Sequence, residues 1–196
     1  TVSAQVRHAR LKGHPVIMHL PMEAPDHKGK PGYNVLAVNA DERVLRKQLA
    51  RMLGRFGGYI GVNNHMGSRF TRDRAKMDIV VSELKKRGFY FLDSRTSGST
   101  VGYKAAAAAG IPYAIRDVFL DHEPAPAKIR QRLAETERVA RATGQAVAIG
   151  HPRDATMDQL VPWVAGLKAR GFDLVRLDTL LKRPLRNKLA QVQTRE

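Results

Sequence analysis

Three histidines and an aspartate share one placement in this sequence, each standing at the end of a short apolar run. Val16-Ile17-Met18 leads to His19, Tyr59-Ile60-Gly61-Val62 to His65 through Asn63-Asn64, Phe89-Tyr90-Phe91-Leu92 to Asp93, and Ala146 to Ile149 leads to His151. With no cysteine in the chain, the available ligands are imidazole and carboxylate. That mixture suits a divalent metal, zinc first and manganese, iron, cobalt or nickel less specifically, in a site that keeps a position for water. Such a metal would acidify its water and polarise a carbonyl, the two requirements for hydrolysing an amide or ester. A single histidine at such a place is ordinarily structural. Three of the chain's seven at equivalent places point to one site.

The neighbours of these residues extend the list. Asn63, Asn64 and Ser68 flank His65 and suit either orienting its ring or binding substrate hydroxyls, while Gly67 allows close backbone approach. Glu23 follows His19 by four residues and reads as a metal ligand, a rim acid or an ion-pair partner; Pro21 between them argues against a helical pair. Asp93 reads as a general base or as the group that orients a ligand histidine, and Arg95 as a binder of substrate anion or as Asp93's own partner. His151, within Gly150-His151-Pro152-Arg153, suits a general acid at the leaving group, or a ring that caps the mouth of the fold. Asp117 and Asp121 are weaker candidates. His8, His14, His27 and His122 read as surface or loop residues, and Trp163, among Leu160, Val164 and Leu167, as core.

The elements that must position these groups follow one rhythm: a basic amphipathic helix, a glycine, a short apolar run, a polar residue. Gly13, Gly58, Gly88, Gly110, Gly144 and Gly171 each stand where a helix would end in a left-handed residue. The six runs after them do not alternate, as strands covered on both faces do not; the last is Leu174-Val175, leading towards Asp178. Helix-length segments occupy 41–54, 73–87, 99–109, 126–143 and 155–170, with Asp41 and either Asp154 or Thr156 as N-terminal caps and Ala105 to Ala109 as a small-residue packing face. Strands alternating with helices mean a parallel α/β sheet, closed or open, whose strand C-termini converge on the ligand site. No phosphate-binding glycine fingerprint follows the first strand. Segment 20–38, rich in Pro, Gly and charge, is too long for a simple connection and reads as a functional lid or a disordered loop.

At 196 residues and 43% hydrophobic content, the chain is expected to form one domain, 1–196, with a tail from about 183. Lys and Arg exceed Asp and Glu by 34 to 18, a net charge of +16 that raises nucleic acid, anionic glycan or membrane surfaces as partners. The surplus is spread over most helices, so a solvated basic surface is the first reading. No aromatic-basic interleaving supports specific nucleic-acid binding. No signal peptide or membrane span is read, and Thr1 to Lys12 already reads as a helix, so the chain is expected to begin inside a domain.

The matching stretches Gly13-His14, His19-Leu20-Pro21-Met22-Glu23, Gly61-Val62-Asn63-Asn64-His65-Met66-Gly67-Ser68, Phe91-Leu92-Asp93-Ser94-Arg95-Thr96, Val118-Phe119-Leu120-Asp121 and Ala148-Ile149-Gly150-His151-Pro152 resemble the divergent polysaccharide deacetylases. This is a bacterial branch of the metal-dependent carbohydrate deacetylases, and the similarity runs from about 13 to 181. The resemblance implies a distorted (β/α) barrel, hydrolysis of an N- or O-acetyl group on an acetylated or anionic glycan, and a periplasmic or secreted setting. It places His19 at the first metal histidine and Glu23 where the broader superfamily has its second, so that His65 completes the pair. It places His151 at the late catalytic histidine, with Asp93 supporting. The family's first strand, ending in an Asp-Asp pair that supplies a metal ligand and the base, and its second strand both precede the stretch matching Thr1. A barrel lacking its first one or two strands is therefore expected. A protein that keeps the barrel only to bind envelope glycan is the alternative.

Overall fold

The computed structural model describes residues 1–25 and 34–182, and the chain divides into two compact units, Thr1–Ile115 and Arg116–Glu196. The first unit alternates helix and strand: α1 (Val2–Leu11), β1 (Ile17–Met22), α2 (Glu42–Leu53), β2 (Gly61–Met66), α3 (Arg74–Lys86), β3 (Tyr90–Asp93), α4 (Gly102–Ala109) and β4 (Tyr113–Ile115). The four strands lie parallel in the order β1-β2-β3-β4. This is the α/β organisation that the helix-strand rhythm predicts, because each parallel pair needs a crossover and the helices provide it. Leu45, Leu49, Met52 and Leu53 of α2 and Met77, Val80, Val81 and Leu84 of α3 recur at helical spacing and pack on Met18, Leu20, Met22, Val62 and Phe91 of the sheet. Ala105 and Ala106 of α4 are buried in the same core.

The second unit holds β5 (Val118–Phe119), α5 (Pro126–Thr143), β6 (Ala148–Ile149), α6 (Asp154–Ala165) and α7 (Leu177–Leu181), with β5 and β6 parallel. Its core gathers Val118, Leu120, Ile129, Leu133 and Val139, with Trp163 packed against it. Trp163 is core on one side and polar on the other: its indole N–H donates to Glu137 Oε1 at 2.7 Å.

Helix punctuation follows the sequence closely. Asp41 caps α2 by accepting the Val44 N–H at 2.8 Å. Gly110 (φ 70°) and Gly144 (φ 82°) end α4 and α5 in the left-handed conformation, and the other four glycines of the pattern also have positive φ.

Four expectations need correction. Leu174-Val175 forms no strand: residues 172–176 are irregular, Leu174 is 68% exposed, and Asp178 stands inside α7. Two apolar residues between Asp173 and Arg176 are too short a run to be buried as a strand. The sixth strand is instead β5, hidden from the pattern because only Arg116-Asp117 separates it from β4, with no helix or glycine between. The cap of α6 is Arg153, without a side-chain hydrogen bond, and the Thr156 hydroxyl turns to Asp121. Finally, β1 does alternate: Met18, Leu20 and Met22 are buried, whereas Ile17, His19 and Pro21 are less so. β3 is buried throughout.

Within 20–38, the described ends are tied to the sheet: the Leu36 N–H donates to Pro21 O, and the Glu23 N–H to Leu36 O, both at 3.0 Å. The centre of that segment with His27, and the tail from 183, lie outside the described residues.

The contact between β3 and α4 leaves no spare volume. A Cβ on Gly102 would lie 2.8 Å from Asp93 Oδ2 and 2.9 Å from Phe91 Cε1. Gly102→Ala is expected to cost about 1–3 kcal/mol through overpacking, read as a lowered urea midpoint at unchanged m.

Candidate functional site

Strand register decides which of the chemistry-bearing residues meet. In the parallel β1-β2 pair His19 is registered with Asn63 and Pro21 with His65, so His19, Asn63 and His65 project from one face. Asn63 is registered in turn with Leu92, and Ser94, two residues on, belongs to that same face. Asp93 falls on the opposite face.

The first face carries a directed chain of hydrogen bonds. Ser94 Oγ lies 2.8 Å from the carbonyl of Asn64, which can only accept, so the single hydroxyl proton is committed there. Asn63 Nδ2 then donates to Ser94 Oγ at 3.1 Å, which turns Asn63 Oδ1 toward His19 Nδ1, 3.0 Å away. That oxygen can only accept, so a neutral His19 carries its proton on Nδ1 and presents Nε2 as an acceptor. His65 Nδ1 faces this nitrogen at 2.8 Å, with the two rings edge to face at a centroid distance of 4.6 Å. Both rings are exposed to solvent, while Asn63 and Ser94 behind them are buried. Two imidazole nitrogens aimed at one another suit a shared cation. Their donor chemistry fits zinc, and the buried amide behind His19 is the kind of outer partner that ligand histidines use. Among the described residues no third His, Cys, Asp or Glu joins them, so this chain's described part supplies two positions of such a centre.

Several expected contributors are bound up inside the protein. Asp93 is fully buried; Oδ1 accepts the Arg95 N–H at 2.9 Å, and Oδ2 accepts the Thr100 hydroxyl at 2.9 Å and the Tyr103 N–H at 3.0 Å. It caps α4 from the preceding strand. Burial pushes its carboxyl up, against the opposing pull of those three donors and of the Arg95 charge. A base poised on the histidines is therefore not what Asp93 is. Glu23 is fully buried too: Oε1 accepts from Arg69 at 2.8 Å and Oε2 from the Val38 N–H at 2.8 Å, so of its three readings the ion pair is the one seen. Asn64, with no exposed surface, accepts the Ser94 N–H at 2.8 Å and donates to Met66 O at 2.9 Å. Asn63 and Asn64 thus hold the site together and do not face a substrate as expected. Ser68 is half-buried in the turn after β2, and Arg95 is half-buried beyond β3. Gly67 (φ 85°) makes the predicted close approach, since a Cβ there would sit 2.7 Å from Met22 Cβ.

Among the described residues Met66 and Arg95, at the ends of adjacent strands, are the two non-glycine residues with positive φ, at 52° and 48°. The Met66 carbonyl is pinned from two sides, by Asn64 Nδ2 and by the Thr96 hydroxyl at 2.8 Å. A left-handed methionine costs about 1–2 kcal/mol, more than the extra chain entropy of glycine. Met66 is 41% exposed and has little packing to lose. Met66→Gly is therefore expected to raise stability by about 0.5–1 kcal/mol, measured by chemical denaturation; a fall would contradict the reading of strain.

In the second unit β5 and β6 hold a second histidine centre. His151 Nδ1 lies 3.0 Å from Asp121 Oδ1, while Asp121 Oδ2 accepts the His151 N–H at 2.8 Å and the Thr156 hydroxyl at 3.0 Å. Asp121 is almost fully buried, whereas the His151 side chain is 47% exposed. Burial alone would raise the Asp121 carboxyl; the backbone N–H and ring of His151 and the Thr156 hydroxyl outweigh it and hold it below the usual carboxylate range. With Nδ1 engaged, Nε2 is the nitrogen left to exchange a proton. Asp117, the other weak candidate, accepts the Val147 N–H at 2.7 Å and ties β6 to β5. Because the Asp121 carboxyl titrates lower in the folded protein than in the unfolded chain, its contribution to stability is present above its unfolded pKa and fades as pH falls through the folded value. Asp121→Asn should flatten acid destabilisation below about pH 4, measured as urea midpoints across pH.

Asp121, Thr156 and Ser94 are the partners behind the histidines that strand-end reasoning underrated. Asp121 follows β5, a strand too short to signal itself, and Ser94 is found by counting alternate residues along β3.

Comparison with known proteins now decides the family. A model of the divergent polysaccharide deacetylases matches residues 1–181. The chain belongs to that family. The chain is 35% identical over 176 residues to the uncharacterized protein YibQ of Escherichia coli K12, covering 90% of this chain and 54% of that protein. It is 34% identical over 155 residues to an uncharacterized protein of Haemophilus influenzae, covering 79% of this chain and 55% of that one. The deacetylase-family chain thus spans about half the length of the curated relatives it matches. A crystal structure of the uncharacterized protein ATU2773 from Agrobacterium tumefaciens C58 resembles it with a TM-score of 0.87 at 29% identity, over 92% of this chain and 74% of that one.

Proposed function

We propose that this chain belongs to a metal-dependent hydrolase that removes acetyl groups from a polysaccharide. The observation that carries the reading is the directed chain Ser94-Asn63-His19, which brings the exposed His19 Nε2 against the Nδ1 of a second imidazole at 2.8 Å.

In this reading His19 through Nε2 and His65 through Nδ1 hold a divalent cation, zinc first. When bound, zinc supplies Lewis acidity towards the acetyl carbonyl and acidifies water. In the second unit His151, oriented by Asp121, would offer Nε2 as a proton donor to a leaving sugar nitrogen or oxygen. Ser68 and Arg95, at the ends of β2 and β3, contact the acetylated or anionic glycan, and the +16 charge favours an anionic one. The reading carries with it the distorted (β/α) barrel of the family and a periplasmic or secreted setting. No helix among the described residues is long and apolar enough to cross a membrane.

Among the described residues the donor set stops at two imidazoles, which favours a second reading, an envelope protein that binds glycan without hydrolysing it. Acetate release from N- and O-acetylated oligosaccharides, with zinc added, separates the two. Zinc-dependent release that is lost in His19→Ala supports the hydrolase; glycan binding with no release, at any zinc concentration, supports the binder.

A further inference from the structure

We propose that Ser94, acting through Asn63, is a positioning residue that sets the ring tautomer of His19. For its consequence in metal binding, the proposal rests on the metal-donor reading above; for the tautomer itself it rests on geometry alone.

An unconstrained neutral histidine exchanges freely between its two tautomers, and only one of them offers Nε2 as a lone pair. Asn63 by itself cannot choose. Its side-chain amide presents oxygen in one orientation and NH2 in the other, and the first demands a proton on His19 Nδ1 while the second demands none. The choice is made one bond further back. The Asn64 carbonyl accepts the Ser94 hydroxyl proton at 2.8 Å, so Ser94 Oγ has only lone pairs left for Asn63, 3.1 Å away. Ser94 is held in this place by its own N–H, which donates to Asn64 Oδ1 at 2.8 Å, and it is only 3% exposed. The NH2 of Asn63 therefore faces Ser94 and the oxygen faces His19. Water cannot compete at this point, because Asn63 is only 7% exposed.

The polarity continues into the second ring. With Nε2 of His19 a lone pair, the facing Nδ1 of His65, 2.8 Å away, carries the proton in the metal-free protein. If the Asn63 amide turned over, His19 would carry its proton on Nε2 and His65 would have to offer Nδ1 as the acceptor. The two rings must switch together. A zinc ion taken up by both would find His19 already presenting Nε2 as a lone pair when Ser94 is present, while His65 would have to move its proton from Nδ1 to Nε2. Loss of such an outer partner is expected to weaken metal binding about 10–100-fold.

The test is long-range proton-nitrogen correlation NMR of the imidazole rings in the metal-free protein at pH 8, with zinc affinity measured alongside by competition with a chromophoric chelator. In the wild type both His19 and His65 are expected as the Nδ1–H tautomer. In Ser94→Ala both should shift toward Nε2–H, with zinc affinity down by 10-fold or more. Ser94→Thr, which keeps the hydroxyl, should restore the wild-type pattern. Asn63→Asp, which can only accept, should retain Nδ1–H on His19 without help from Ser94, whereas Asn63→Ala should release it. If Ser94→Ala does not fold, the two Asn63 variants carry the test. Nε2–H on His19 in the wild type, or an unchanged tautomer in a folded Ser94→Ala, overturns the proposal, as does an unchanged tautomer in Asn63→Ala. The expected tautomers in a protein that binds no zinc would uphold the proposal and sink the metal reading alone.

Discussion

On the proposed hydrolase reading, His151→Ala is expected to lower acetyl hydrolysis by about 10²–10⁴-fold, the range that a positioned proton donor contributes, with little change in KM. The side chain is half-exposed and its ring supports no core, so its loss should be felt in turnover. Asp121→Asn is the sharper variant. The carboxylate now accepts from the backbone N–H and the ring of the same histidine and from Thr156. An amide that keeps its oxygen toward the backbone and the hydroxyl must present NH2 to His151 Nδ1. This removes the negative charge that stabilises the imidazolium and forbids a proton on Nδ1. Turnover should fall by at least about 10²-fold. Full activity in Asp121→Asn would show that the pair is structural.

The second large effect falls on the fold and concerns the aspartate that sequence alone favoured as a base. Asp93→Ala strips the partners from the Arg95 and Tyr103 amides and the Thr100 hydroxyl in a place closed to water. At about 1–3 kcal/mol for each stranded group, and with the three acting as a unit, a loss on the order of 3–5 kcal/mol is expected. That is a large part of the 5–15 kcal/mol typical of a domain, so the variant should be largely unfolded at 37 °C. The pH dependence runs opposite to that of Asp121. Burial raises the Asp93 carboxyl in the folded state, so the native protein binds its proton more tightly than the unfolded chain does. Stability therefore declines as pH rises from the unfolded pKa to the folded one. Asp93→Asn should remove that decline while costing less than alanine, because the side-chain oxygen can still serve Thr100 and Tyr103. If Asp93→Asn keeps its stability and loses turnover selectively, Asp93 belongs to the chemistry after all.

How much of this was legible beforehand follows from what each signal encodes. The parallel α/β organisation was visible because helices, glycine C-caps and apolar runs repeat in register with one another; α5, Pro126–Thr143, was bounded to the residue by Pro126 and Gly144. His19 and His65 could be paired from their equivalent strand-end positions. Asp93 was misplaced by the same logic, because ending a strand says nothing about which face a side chain takes. That depends on a register which only pairing between strands reveals: Asn63 sits opposite His19, and alternate residues of β3 bring Ser94, not Asp93, to that face. Asp121 was underrated since β5 is two residues long and buried largely by its neighbours in space, leaving no periodicity to read. The fate of Glu23 was undecidable from composition, because its partners, Arg69 and the Val38 amide, are 46 and 15 residues away along the chain.

Zinc binding to the pair His19 and His65 is the point on which the functional reading turns. Metal content after dialysis against buffered zinc, and competition titration at pH 7.5, test it directly in the wild type and in His19→Ala and His65→Ala. The proposed function predicts one saturable zinc per chain, lost or weakened at least about 10²-fold in each variant, as expected when one of so few protein ligands is removed. No saturable zinc in the wild type, or equal binding in all three proteins, would contradict it.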